Sequence, residues 1–319
     1  MTITKFTTME TGKTYETPLM VTEINEKTGK NGSAYLDVKL SDGDNAIIAK
    51  CFNMTVADFS AKVGEVLNFN ISVEEYNGSP SYKITGFKPC NEDINKADFV
   101  ISAPIPAKDM YDYIYKTLKN LENKDVSDLG CKIYEELKSR LMYWSAAKTM
   151  HHVYLSGLLY HTYRMVAAAE ILSAIYPSCN RDLVICGCAL HDIGKIKELS
   201  TDSLGNATYT IDGSLLNHSL IGIECVSYYA NELGTDKEVL RNLKHIIASH
   251  HGELEYGAIV KPATIEAIIV SQIDYLDSRV EMFEEALTNV DAGSMTENYV
   301  AGVHLYKPNI QVKTNEEEK

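Results

Sequence analysis

The segment at residues 183–190 is apolar and is closed by His191 and Asp192. An ionised carboxylate at the end of such a run is costly to bury unless a cation compensates it. Further ligand-type side chains stand among apolar, helix-periodic neighbours: His161, His218, the pair His250 and His251, and Asp274. Imidazole and carboxylate donors together suit a divalent transition metal, and an aspartate with two oxygens can bridge a pair of ions. A cation held there neutralises Asp192. Taken singly, His161 or His218 reads as a hydrogen-bonded residue of core or surface, and Asp274 could pair with Arg279. Separate helices each delivering ligand chemistry is a coincidence that structural histidines do not readily produce. No Ser-His-Asp or Cys-His nucleophile motif, P-loop or GxGxxG sequence offers a competing chemistry.

The elements that must carry these residues change character along the chain. From residue 17 to about 88 the pattern is strand-like: TPLMVTEI, AYLDVKL, AIIAKCF, VLNFNISVEEY and YKITGF. Asn31-Gly32, Asp42-Gly43 and Asn77-Gly78 supply hairpin chemistry between them. Five short strands, with the polar-apolar stretch MTVADFSAKVG between the third and fourth, fit a small barrel of the oligonucleotide/oligosaccharide-binding (OB) type. From Ala107 onward apolar residues recur at spacings of three and four through seven segments, the last running from Pro262 to about residue 287. Helix punctuation accompanies them: Gly194 reads as a stop, Thr235 with Glu238 as a capping box, Gly252 as an end signal and Pro262 as a first-turn residue. The predicted architecture is multi-domain, α and β, with an N-terminal five-stranded OB-like barrel followed by an all-α domain. The expected boundaries are 1–95 for the barrel, 96–145 for a connector and helical segment, 146–290 for the histidine-rich helical domain, and 291–319 for a C-terminal extension and tail.

Composition narrows the function classes. The chain of 319 residues carries a formal net charge of −14, which argues against a broad nucleic-acid-binding surface while leaving room for a local one. No apolar run approaches the roughly 20 residues that cross a bilayer, and MTITKFTTMETGK has no signal-peptide core. A cytoplasmic location without a membrane partner is therefore expected. The seven cysteines lack CxxC spacing and read as reduced core residues.

In their order along the chain, His161, His191-Asp192, His218, His250-His251 and Asp274 resemble the HD superfamily of metal-dependent phosphohydrolases. The words HHVYLSGLLYHT, ALHDIGK, LLNHSLIG and ASHHG, following a barrel, resemble more closely the YhaM-type 3′-to-5′ exoribonucleases, over about residues 15 to 310 and including YKPN. The resemblance implies an oligonucleotide-binding barrel joined to an HD nuclease domain that uses one or two divalent ions, Mn2+ in this family. It implies His161, His191, Asp192 and Asp274 as core metal ligands, and His218, His250 and His251 as the histidines that accompany a second ion. Asp192 and Lys195 are then the catalytic pair, with Lys195 facing the substrate phosphate. Two departures stand out: Gly157 occupies a position where some two-metal members carry an acid, and Phe52 stands where the family is expected to show tryptophan.

Single-stranded RNA or DNA is the expected partner, and a homo-oligomer is compatible with the chain. Strand binding needs aromatic faces and a modest cationic track. Tyr35, Phe52 and Lys50 are the leading barrel candidates, among a wider set of Phe69, Tyr76, Tyr82, Lys27, Lys30, Lys39 and Lys83. His151 and His152 read as substrate-facing, structural or supporting residues, and His245 and His304 as ordinary ones. Two other functions fit the same residues: an HD phosphohydrolase of a small nucleotide such as a dNTP or cyclic dinucleotide, or a nucleic-acid-binding protein with an inactive HD half.

Overall fold

The computed structural model describes residues 3–29, 32–76, 79–90, 95–144, 154–202, 206–288 and 290–310. His151, His152, Lys30, Asn31, Asn77, Gly78 and the acidic tail lie outside the described residues. Five strands close a barrel in the order β1-β2-β3-β5-β4: β1 Thr14–Thr28, β2 Ala34–Ser41, β3 Ala46–Phe52, β4 Val66–Tyr76 and β5 Ser79–Pro89. The long β1 pairs with β4 through its first half and with β2 through its second. An irregularity between Val21 and Glu23 lets it turn that corner. Closure comes from a short parallel contact of β3 with β5, Ala49 opposite Tyr82 and Lys50 opposite Lys83. Inward-facing Leu19, Val21, Leu36, Val38, Leu40, Phe69, Ile71 and Val73 fill the interior, so the alternation seen in the sequence is the alternation of barrel wall and barrel core. The stretch between β3 and β4 forms turns.

The helical region holds α1 Ala107–Lys119, α2 Lys124–Leu141, α3 Gly157–Ile175, α4 Arg181–Leu190, α5 Lys195–Glu198, α6 Ile211–Leu233, α7 Lys237–Ser249 and α8 Ile265–Leu287. All of α4 after Arg181 is buried. It runs through the middle of the helical core, and Gly187 lets Ile246 of α7 and Val270 of α8 close on it, since a Cβ there would meet Ile246 at 3.0 Å. Asn123, Asn180, Thr210 and Thr264 cap their helices through side-chain oxygens. A two-stranded ribbon, β6 Leu199–Thr201 with β7 Ala207–Tyr209, is added to the helices. No helix among the described residues is long and apolar enough to cross a membrane.

Local punctuation differs from the sequence reading at three places. The cap of α7 is Asp236, one of whose carboxylate oxygens accepts from the amides of both Glu238 and Val239, so the first turn is satisfied without Thr235. Pro262 precedes the α8 cap Thr264 rather than entering the first turn. Gly194 is no left-handed stop: at φ −65° it opens α5. It is required instead by close approach, since a Cβ would fall 1.9 Å from the His218 carbonyl oxygen. Gly194→Ala is therefore expected to cost about 3 kcal/mol and to displace His218. Chemical denaturation checks this, and an unchanged midpoint would show that α5 and α6 are not locked together there.

Candidate metal centre

Five segments converge. His161 comes from the interior of α3, His191 and Asp192 from the turn after α4, His218 from α6, His250 and His251 from the end of α7, and Asp274 from α8. His161, His191, Asp192 and His250 are almost fully buried. Four imidazoles share one arrangement: each binds oxygen through Nδ1 and turns Nε2 inward. Nδ1 of His161 meets Asp277 at 2.8 Å, that of His191 the Cys188 carbonyl at 2.9 Å, that of His218 Glu198 at 3.0 Å, and that of His250 the Ile247 carbonyl at 2.7 Å. A proton on Nδ1 leaves the Nε2 lone pair for a cation.

The inward atoms form two nests on either side of Asp192. Around its Oδ2 lie His191 Nε2 at 3.3 Å and His161 Nε2 at 3.8 Å, with Asp274 Oδ1 3.3 Å from His161 Nε2. Around its Oδ1 lie His218 Nε2 at 3.5 Å and His250 Nε2 at 3.7 Å, and the His251 ring packs against both of those imidazoles. Two sets, His161-His191-Asp192 and His218-His250-His251, have ligand atoms close enough to share an ion. Asp192 Oδ1 and His251 Nδ1 are buried without a hydrogen-bond partner among the described residues. Unpaired buried acceptors of this kind are expensive, and a divalent cation is the group this donor chemistry fits.

Electrostatics agree. Burial raises the Asp192 carboxyl, but the Lys195 ammonium and the facing imidazoles outweigh it and hold the group well below the usual range. Burial likewise opposes Asp274, whose hydrogen bond with His161 keeps it ionised. His250 and His251 are pushed down, by burial first and then by neighbouring imidazoles, which favours the neutral ligand form. His161 goes the other way, to about 9, because Asp274 and Asp277 overcome its burial. A metal ion bound at Nε2 would take that proton's place.

Lys195 lies at the first residue of α5, with Nζ 2.7 Å from Asp192 Oδ2 and the side chain largely buried. It is not a solvated residue beyond a helix end, and Trp144 holds its backbone carbonyl through the indole Nε1 at 3.0 Å. Asp274 faces His161, while Arg279 sits over the ring of Tyr275.

Supporting residues escaped the sequence reading. Asp277 is gripped by Arg164 Nε at 2.6 Å, and Arg164 also reaches Glu281 at 2.9 Å, so a fixed salt-bridged carboxylate orients His161. Asp277 follows Asp274 by three residues on one helix, a spacing that was available as a signal. Glu198 Oε1 accepts from both the His218 amide and its ring. Asn217, at φ 59° and ψ 164°, breaks α6 at the residue before His218, and its side chain caps the second half by accepting from the Leu220 amide. The left-handed backbone is strain held next to the candidate ligand His218.

On the barrel, Tyr35 and Phe52 are cross-strand partners with ring centroids 5.8 Å apart. Lys50 stands 4.8 Å over Tyr35 and Lys83 stands 5.4 Å over Phe52. Lys27 and Lys50 share Asp37. Tyr76 is exposed and Tyr82 half-buried, whereas Phe69 is fully buried, so it serves the barrel core and offers no face to a base. His245 accepts from the Ala263 amide and His304 bonds the Thr296 carbonyl, as ordinary residues would.

Comparison with known proteins places an HD domain at residues 158–279. Proteins named 3′-5′ exoribonuclease YhaM are similar over nearly the whole chain. That of Halalkalibacterium halodurans is 32% identical over 94% of this chain and 95% of its own. That of Bacillus subtilis is 32% identical over 94% and 96%, and that of Listeria welshimeri 31% over 90% and 92%. No solved structure gives a significant match.

Because Asp277 and Glu198 fix the orientation of His161 and His218, Asp277→Asn and Glu198→Gln are each expected to weaken divalent-ion binding about 10- to 100-fold. Calorimetric titration with Mn2+ measures this; affinities equal to the parent protein's would remove these carboxylates from the centre.

Proposed function

The chain belongs to the YhaM family of 3′-5′ exoribonucleases, and on that premise we propose that it shortens single-stranded RNA from the 3′ end by metal-dependent hydrolysis of its phosphodiester bonds. The observation that carries the reading is Asp192: a buried carboxylate between two imidazole sets, with Oδ1 unpaired. His161, His191, Asp192 and Asp274 would hold one ion, and Asp192, His218, His250 and His251 a second. The carboxylate donors are compatible with Mn2+, the ion implied by the family resemblance, while the imidazoles also accept the later first-row ions. Such an ion supplies Lewis acidity toward water and phosphate oxygen.

The chain's own residues supply the rest. The Nδ1 hydrogen bonds keep His161, His191, His218 and His250 in one tautomer and one direction, so these donors need little rearrangement. Lys195, beside Asp192, would share the charge of the scissile phosphate. Tyr35 and Phe52, with Lys50, would hold the strand by stacking and local positive charge, a compact solution for a chain of net charge −14. Seven free cysteines suit a reducing cytoplasm.

The expected outcome for Asp192→Ala is loss of hydrolysis with RNA binding retained. Phe52→Ala should instead weaken RNA binding roughly tenfold, a typical loss for one stacked base, with the metal content unchanged. Fluorescence polarisation and product ladders on RNA and DNA oligomers, with chelator and then Mn2+ added back, separate these effects. A full ladder from Asp192→Ala removes the HD centre from the reaction. Turnover confined to free nucleotides points to a small-nucleotide phosphohydrolase, and equal ladders on DNA widen the substrate class.

A further inference from the structure

Beside the metal centre, on the His251 side, lies an open cleft of about 280 Å³. Its walls include His251, Glu253, Tyr256, Ser271, Gln272 and Tyr275. Two tyrosines from different elements line it, and both are exposed: Tyr256 by 58% and Tyr275 by 47%. Tyr256 ends the 3₁₀ turn Leu254–Tyr256. That turn is built directly on the candidate ligand His251, since a Cβ on the following Gly257, at φ +100°, would come within 3.2 Å of His251 Nδ1. Tyr275 follows Asp274 on α8, and the Arg279 guanidinium stands 5.2 Å from its ring centroid. The cleft and the metal centre therefore share two walls, one through His251 and one through a single turn of α8.

The chemistry of the lining is selective. Among the described residues the lining itself has no lysine or arginine; the neighbouring cations are already engaged, Lys261 with Glu253 and Arg279 with the Tyr275 ring, so the cleft holds no uncommitted positive charge for a phosphate. The anionic part of a ligand is served next door, by the metal centre and Lys195. The cleft offers aromatic rings, an amide at Gln272, a hydroxyl at Ser271 and a carboxylate able to accept from sugar hydroxyls. Flat, neutral, hydrogen-bonding rings joined to a polyol match that set, and the volume lies at the lower end for ligand sites, suiting one such unit.

We propose that this cleft receives the base and ribose of the 3′-terminal nucleotide, so that the phosphate on its 5′ side falls at the metal centre. The inference rests on the exoribonuclease reading and deepens it: a compartment for one nucleoside beside the ions sets the step at one nucleotide. Stacking on Tyr256 or Tyr275 is tolerant of base identity, because every base has a π-face.

The test compares two RNA oligomers, identical except that one ends in an abasic 3′ nucleotide, and follows release of the first product by the Mn2+-loaded protein. The unaltered protein should favour the intact end by about 5- to 100-fold in kcat/KM, the range stacking on an aromatic ring supplies. In the Tyr256→Ala, Tyr275→Ala double variant that preference should collapse toward one. Tyr256→Phe and Tyr275→Phe keep the rings and should keep it, which separates loss of stacking from loss of fold. An active double variant with undiminished preference, or an unaltered protein without preference, overturns the inference and leaves the exonuclease reading standing. Failure of the unaltered protein to release a mononucleotide from either oligomer overturns both.

Discussion

A carboxylate buried with one oxygen unpaired does not persist in a protein interior without a compensating positive charge. Asp192 is that carboxylate, and much of the helical region can be understood as what it takes to hold it there. The apolar helix α4 drives it inward. Lys195 engages one oxygen at 2.7 Å, and imidazoles from α3, α4, α6 and α7 face the pair. One lysine leaves the second oxygen without a hydrogen-bond partner among the described residues, and the two imidazole sets make that position a candidate cation site. The outer bonds from Asp277, Glu198 and two backbone carbonyls then act as a frame that turns each ring toward the centre.

The parts legible in the sequence were those with short-range or compositional signatures. Alternating apolar residues and turn dipeptides gave the five strands, with β3 and β4 placed at their observed limits. The histidine and aspartate candidate ligands stood out because each is a polar residue in an apolar helical run. What stayed hidden depends on contacts between distant segments. Asp277 orients a histidine 116 positions away, and Glu198 one 20 positions away; Glu198 does not differ locally from a solvent-facing acid, and the spacing of Asp277 from Asp274 does not by itself name the histidine it meets. The three-residue strands β6 and β7 are too short to display a period. Gly194 was misread because a glycine kept for close approach looks in sequence like one kept for a left-handed turn. The break at Asn217 had no glycine or proline to announce it.

On the proposed reading, barrel and helical region would divide the handling of a polyanion in a way compatible with the acidic net charge. The lysines at these places are held by carboxylates: Lys50 by Asp37 and Lys83 by Glu74, over the Tyr35 and Phe52 rings, and Lys195 by Asp192 at the centre itself. Elsewhere the recognition proposed here is aromatic and neutral, at the barrel face and in the cleft lined by Tyr256 and Tyr275. Such a design restricts strong attraction to the few phosphates that are gripped or cut.

The account stands most directly on Asp192 being shared between two ions. Crystals of the protein grown with Mn2+ and measured at the manganese absorption edge would locate them by anomalous scattering. Two peaks about 3.5 to 4 Å apart are predicted, one among His161, His191 and Asp274, the other among His218, His250 and His251, with Asp192 between them. A single peak, or peaks that leave Asp192 Oδ1 without a cation, would contradict it.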